Sequence, residues 1–496
     1  MDAVEAFETE HAVRLPEPYR DFLLQVGNGG AGQAYGLYPL EKTATGGVLK
    51  RPSPLHSQMP EVGAWHDVLG LDEDTEAVYD GALTLLTQGC TYDVLLMVSG
   101  PDRGRIVYVD WNMEHAPFFS QFPDFLTWYE TWLRETLAGY TMTWFGYGLP
   151  LNAGESALVA VDQQVPSFQR KAALNNLLRV PSLTADLLTL LESALLSEPD
   201  LGIATDFLTL LASNGVQGLG DISWRLLRQA QGHQIYRTVH AMRTMELPTW
   251  GDAALWALEQ DADQDASQSI LYLLKREQAL TRRAIELAFT SKHVVTTGLY
   301  VNSEFDNPLP VPDAFFTHSD PGVRRYSVEY QPNAVLHPKL PQLLELYRQE
   351  ASEHVRQGWA LKIGSFHEPV VTAALTEFLE REDSAIVRSA LTRRLGEHKA
   401  TQAVPLLMRL TQQEDHVLRL EAATALGEIG DERARPALKA LLDQHEKPFR
   451  IEGGGGMGYS YSVAEAARRA LKILGGHQRH RKILGKLVKI LTRTRE

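Results

Sequence analysis

An apolar residue followed by arginine recurs along the second half of this chain, at Val323-Arg324, Val355-Arg356, Val387-Arg388 and Leu418-Arg419, with separations of 32, 32 and 31 residues. A fixed period of that length restricts the chain to a stack of like units, each too small to bury its own apolar face without a neighbour. The last two full copies agree residue by residue at an offset of 31: Arg388 with Arg419, Leu395 with Leu426, Gly396 with Gly427, Pro405 with Pro436, Leu407 with Leu438 and Leu410 with Leu441. Val387, Leu391 and Leu395 form one stripe of a helix. The glycine is expected to end that helix, and the proline to open a second one, because a first-turn proline forfeits no internal hydrogen bond. Each unit is therefore a helical pair, and the array an all-α solenoid. A fifth copy begins at Val463, where VAEAARRALKILG aligns with LRLEAATALGEIG, after an insertion of about 14 residues.

The rest of the chain is divided by where this pattern fades. Residues 320–476 hold the clear repeats, with the Gly-rich insertion at 447–461, which is expected to form an exposed hairpin carrying Tyr459 and Tyr461 at one side. Residues 157–319 are helical in pattern, as at Leu187, Leu190, Leu191 and Ala194, and read as degenerate repeats of unrecoverable phase. Residues 477–496 contain seven Lys or Arg and one Glu, with Ile483, Leu487, Ile490 and Leu491 along one side, a basic amphipathic helix suited to capping the end of the array. The stretch GYGLPLNAGES, residues 146–156, concentrates turn formers and reads as a linker. Before it, residues 1–145 mix helices and strands. Tyr19, Phe22, Leu23 and Val26 recur at helical spacing until Gly27-Asn28-Gly29-Gly30, and Val94 to Val98 and Arg105 to Asp110 form a hairpin around Gly100-Pro101-Asp102-Arg103-Gly104. Phe122, Phe125, Leu126, Tyr129, Trp132 and Leu133 return to the helical period with Pro123 in the first turn.

Three blocks in this order, LPEPYRDFLLQVGNGGAG, GALTLLTQGCTYDVLLMVSGPDRGRIVYVD and FPDFLTWYETWL, resemble the SUKH superfamily of Smi/Knr-like domains over about residues 1 to 140. The repeats, including DHVLRLEAATALGEIGD, resemble bacterial HEAT-like repeats. The resemblances imply an α+β SUKH-like N-terminal domain followed by an all-α HEAT-like solenoid. They also imply a domain that binds protein partners without a known catalytic centre; in many bacterial relatives the partner is a toxin, often a nuclease. The matched Leu15, Pro16, Tyr19, Phe22, Gly27, Asn28, Gly29, Gly104, Trp128 and Trp132 are framework, and in HEAT-like repeats the Asp and Arg commonly join neighbouring units, which implies a framework role for Arg324, Arg356, Arg388 and Arg419.

Charge sharpens the expectation about partners. Residues 1 to 150 hold 21 acids and 8 bases, net -13, whereas the remainder holds 41 acids and 40 bases. An acidic field repels nucleic acid and accelerates encounter with basic proteins. The run Asp72, Glu73, Asp74, Glu76, with Asp80, is the candidate contact for a basic toxin or nuclease, and Tyr459 and Tyr461 are second candidates. An intracellular regulatory scaffold is the alternative, and a HEAT-repeat enzyme of bilin-lyase or DNA-glycosylase type the third reading.

No catalytic, cofactor or metal set is expected. Gly27, Gly29 and Gly32 fit G-x-G-x-x-G but follow a helix, whereas phosphate binding needs a strand before the glycines and a helix start after them. Gly453, Gly455 and Gly458 match only through composition; His477 and His480 lack partners at metal-ligand spacing. The single cysteine, Cys90, is expected to be a buried apolar side chain. The opening MDAVEAFETE has four acids and no base, unlike a secretory signal, and no apolar run approaches the length of a membrane span, so a cytoplasmic setting is expected.

Overall fold

Strict alternation along three strands organises the N-terminal region of the computed structural model, which describes residues 3–57, 76–111, 116–443, 449–452 and 458–475. Strands β1 (Ala82–Gly89), β2 (Tyr92–Met97), β3 (Ile106–Asp110) and β4 (Phe118–Phe119) pair antiparallel in sequence order. Val94, Leu96, Ile106 and Tyr108 face one side, where they meet Tyr19, Phe22, Phe125 and Trp128. Leu95, Met97, Val107 and Val109 face the other, against Leu55, Val78 and Phe119. Because successive side chains point to opposite faces, a sheet covered on both sides is apolar at successive positions where it is covered, as Val94 to Met97 and Ile106 to Val109 are.

Helices α1 (Ala3–Glu10), α2 (Glu17–Gln25) and α3 (Phe125–Leu137) supply the first of those faces. Tyr19 and Phe22 of α2 meet Phe125 edge to face at 4.8 and 5.2 Å, and Phe22 meets Tyr129 at 4.9 Å. Helix α3 starts two residues later than a first-turn Pro123 implies: Asp124 is its cap, accepting from Thr127 N at 2.8 Å, the usual way a short acid satisfies a free first-turn donor. Cys90 corrects a second expectation. It stands at the β1–β2 turn with φ +52° and is exposed, because a residue in the left-handed region at a hairpin tip projects away from the sheet.

Residues 146–156 are held by their neighbours on both sides. Phe145 is buried in the N-terminal core, and a Cβ on Gly146 would lie 2.2 Å from the Tyr108 ring, so only glycine permits the approach. Helices α4 (Ala153–Val161) and α5 (Ser167–Arg179) follow. Asn176 of α5 accepts from Leu149 N and donates to Leu149 O and Ser156 Oγ. Next to it, Arg179 forms an ion pair with Glu135 of α3, both side chains almost wholly buried. Thus the sheet region and the first helices form one body within the unit Met1–Ala257. That unit continues through α6 (Ala185–Ser197), α7 (Leu201–Ser213), α8 (Gly220–Gln229) and α9 (His233–Thr244) into α10 (Trp250–Gln260), where the second unit, Leu258–Glu496, begins.

The second unit is helical, with one two-stranded insertion. After α11 (Gln264–Arg276), α12 (Arg282–Thr290) and α13 (Val295–Ser303) come the periodic pairs: α14 (Pro321–Glu329) with α15 (Leu340–Gln349), α16 (Glu353–Ile363) with α17 (Pro369–Arg381), α18 (Ala385–Glu397) with α19 (Val404–Leu410), and α20 (His416–Ile429) with α21 (Arg435–Asp443). Residues 463–475 form a further helix, α22. The first helices of successive pairs lie side by side, and the positions aligned by the repeat, Val387, Leu395, Leu407, Leu418, Leu426 and Leu438, are all buried in one core. Pro405 opens α19 as expected. The glycines do not end their helices, however. Gly396 and Gly427 lie inside α18 and α20, and α20 stops at Gly430 in the left-handed conformation. A Cβ on Gly427 would stand 2.8 Å from Ala470 Cα and one on Gly396 2.8 Å from Ala425 Cα, so these glycines bring adjacent helices into backbone contact. The insertion pairs β5 (Phe449–Glu452) with β6 (Gly458–Tyr461), Ile451 opposite Tyr459 and Phe449 opposite Tyr461.

Candidate functional site

Of the acidic run, Asp72, Glu73 and Asp74 lie outside the described residues, and Glu76 opens a short 3-10 turn, Glu76–Tyr79. Asp80 is turned inward, which corrects its place among partner contacts. It is 8% exposed, accepts from Val48 N at 2.6 Å and pairs with Arg51 at 3.5 Å, so its charge braces the loop before β1.

The periodic arginines form a repeated clamp. Arg324 holds Glu350 through two bonds of 2.7 Å and donates to the carbonyls of His318 and Ser319; Arg356 holds Glu382 at 2.8 and 2.9 Å and donates to those of Glu350 and Ala351. Each fork thus ties the entry of its own helix to the end of the next one, 26 residues on. Burial, the largest single influence, pushes the Glu350 and Glu382 carboxyls up, but the guanidinium and the N–H of Ser352 or Ser384 outweigh it and hold both below the ordinary range. Arg419 keeps the backbone half of the pattern, donating to Gln413 O, and adds His416 Nδ1. At Arg388 the matching acid, Glu414, is exposed, and among the described residues no ion pair joins the two. The same device recurs upstream, where the sequence pattern had faded: Arg170 donates to Ala160 O and pairs with Glu198, which in turn accepts from Asp200 N. A Glu-x-Ser or Glu-x-Asp tripeptide at helix entry is the signal that finds it.

A groove runs across the first helices of the last repeats. Two adjoining hollows of about 510 and 580 Å³ share Leu420, Glu421 and Tyr461. Their floor carries Ile386 and Val417, which stay partly exposed at an offset of 31 residues, and Ile473. Charged groups rim it: Arg393 pairs with Glu421 at 2.6 Å, Arg469 with Glu465 at 3.6 Å, and Glu428 stands nearby with its carboxyl raised by burial and then by Glu397 and Glu421. Of the two tyrosines singled out from the insertion, Tyr461 is thus at the groove, 37% exposed; Tyr459 is placed only by its pairing with Ile451. Sequence reading missed Ile386 and Val417, although an apolar residue left outside the helix stripe at the same phase of successive units was there to be noticed.

Among the described residues no group of three His, Cys, Asp or Glu side chains is placed to hold a metal, and no helix is long and apolar enough to cross a membrane. His477, His480 and the basic tail lie outside the described residues.

Comparison with known proteins matches two parts of the chain. The profile of the SMI1/KNR4 family (SUKH-1) matches residues 2–128, and that of HEAT repeats matches residues 372–452. No curated protein matches the sequence. Among solved structures, human deoxyhypusine hydroxylase in complex with glycerol is similar at 18% identity and TM-score 0.26, over 65% of this chain and 96% of that one. Kap95p, solved with RanGDP, is similar at 15% identity and TM-score 0.39, over 65% of this chain and half of its own length.

Proposed function

From a chain that carries an SMI1/KNR4 (SUKH-1) domain ahead of HEAT repeats, we infer a non-catalytic protein of the bacterial cytoplasm that binds another protein through its first domain and neutralises a basic toxin, a nuclease foremost. The observation that carries the reading is the family match coupled to charge: the region matched to SUKH-1 lies within the 150 residues that hold a net -13, while the repeats are nearly neutral. A nuclease groove built for phosphates is complementary to carboxylates, and exposed carboxylates speed encounter more than they hold the complex.

The groove around Tyr461 supports a second reading, a regulatory scaffold whose repeats hold a further protein.

The test is to mix the purified full chain with a panel of basic nuclease toxin domains and follow nuclease activity and association rate across a salt series. Stoichiometric inhibition of at least one member is expected. The combined variant Asp72→Asn, Glu73→Gln, Asp74→Asn, Glu76→Gln should slow association by roughly one to two orders of magnitude at low salt and converge with the parent as screening shortens the reach of charge. A folded chain that neither binds nor inhibits any member would overturn neutralisation.

A further inference from the structure

The groove across α18, α20 and α22 matches one segment of this chain in chemistry and in reach. Each of the three helices leaves one large apolar side chain in water there: Ile386, Val417 and Ile473. The rim carries Asp415, Glu421, Glu428 and Glu465 against two bases, Arg393 and Arg469. Both arginines are already paired, with Glu421 and Glu465, whereas Glu428 has no ion pair among the described residues and stands near Glu397 and Glu421. An apolar floor edged by an excess of carboxylates is complementary to an amphipathic segment that bears bases.

Residues 477–496 have that chemistry. Ile483, Leu487 and Ile490 form one stripe at helical spacing, and Lys482, Lys486, Lys489 and Arg493 form a second, one position before it, so bases flank the apolar face. The segment does not close the fifth unit as the preceding units are closed. Ala403, Leu407 and Leu410 are sealed in the core around α19, and Ala434, Leu438 and Leu441 repeat them around α21. The fifth copy follows the fourth with Val463 at the place of Leu418, and the same offset sets Arg479 and Lys486 at the places of Ala434 and Leu441. Two cations do not enter an apolar core without partners.

Reach favours the groove. Ile473 and Arg469, in the last two turns of α22, line it, so the chain leaves that helix at the groove's edge. From Gly475 to Lys482 an extended chain spans up to about 25 Å, and a helix over 482–493 is about 18 Å long, two spacings between neighbouring helices. We propose that residues 477–496 fold back across α22, α20 and α18 and fill this groove, with Ile483, Leu487 and Ile490 on its floor and the flanking bases toward Glu421, Glu428 and Glu465. The tail then covers the surface on which a further protein would be held. As regulation of that surface the proposal rests on the scaffold reading; as a contact within the chain it does not.

Photocrosslinking in the full chain tests the contact. Ile386→p-benzoylphenylalanine, at an exposed position, should on irradiation at high dilution join to residues 482–493 of the same chain, and the join should vanish when Leu487→Asp and Ile490→Asp are added. The full chain carrying those two changes alone should bind a synthetic peptide of residues 477–496 saturably, about tenfold more tightly than the parent, whose own tail competes. Val417→Asp, a charge placed on the floor at an exposed position, should weaken that binding about tenfold, and added salt should weaken it further. No join to the tail, a join between two chains, or peptide binding indifferent to Val417→Asp overturns the proposal. A joined tail in a chain whose repeats hold no further protein keeps the contact and loses the scaffold reading; a further protein held at Val417 by a chain whose tail never reaches Ile386 does the reverse.

Discussion

Arg179 and Glu135 are 44 residues apart and meet with both side chains 3% exposed. Burial, the first influence on Glu135, raises its carboxyl despite the opposing arginine. Removing one member of such a pair strands the other charge, so Arg179→Ala should lower unfolding free energy by about 3–5 kcal/mol, read from urea midpoints, while Arg179→Met with Glu135→Met should recover much of it. A loss below about 1 kcal/mol would show that the pair is solvated. The repeat clamps behave differently with pH. Folding holds Glu350 and Glu382 below the ordinary 4.5, so the unfolded chain binds these protons more readily. Their contribution is complete above that value and is lost as pH falls through the lower folded values. Glu350→Gln and Glu382→Gln should therefore flatten the decline of melting temperature between about pH 5 and pH 3, measured at constant salt.

At the scale of the element, glycine in a helix interior costs about 1 kcal/mol against alanine, so in isolation Gly427→Ala would stabilise. Here the added carbon meets Ala470 Cα at 2.8 Å and Cβ at 2.7 Å, both on a neighbouring helix that cannot yield like a long side chain. The expected outcome is a loss of about 1–3 kcal/mol, checked by thermal melting, and a gain would mean α20 and α22 are further apart than described. This position also marks what the sequence disclosed and what it hid. The period, the helical pair and the buried leucines were legible because they follow from spacing along one chain. That Gly427 sits inside a helix was not, because a glycine needed for close packing and one needed for a left-handed cap look alike in a row of letters. Cys90 was misread for the same reason, its exposure being decided by the backbone at a turn. Trp144, Asp110 and Tyr92 come together only through sheet register and the docking of residues 145–147, so no local pattern announced that they are neighbours.

For the whole molecule, the legible part was architecture: an α+β region followed by helical repeats. What spacing did not convey is how the first helices join the sheet region, through Phe145, Asn176 and the Glu135–Arg179 pair, each contact linking residues remote in sequence. The clamp that begins at Arg324 and ends at Glu350 has a consequence for how such a chain changes length. Because each fork grips the entry of its own helix and an acid 26 residues further on, the array is indifferent to how many units it contains but intolerant of fractions of one. Removing residues 353–384 would set Arg388 six positions after Glu350, where Arg356 now stands, so the shortened chain should keep a helical spectrum and one cooperative melt. Excising only 353–368 would place no arginine there and should broaden or abolish the transition. Growth and shrinkage by whole periods are thus the edits this half of the protein can absorb, a grammar of duplication written in the reach of one arginine.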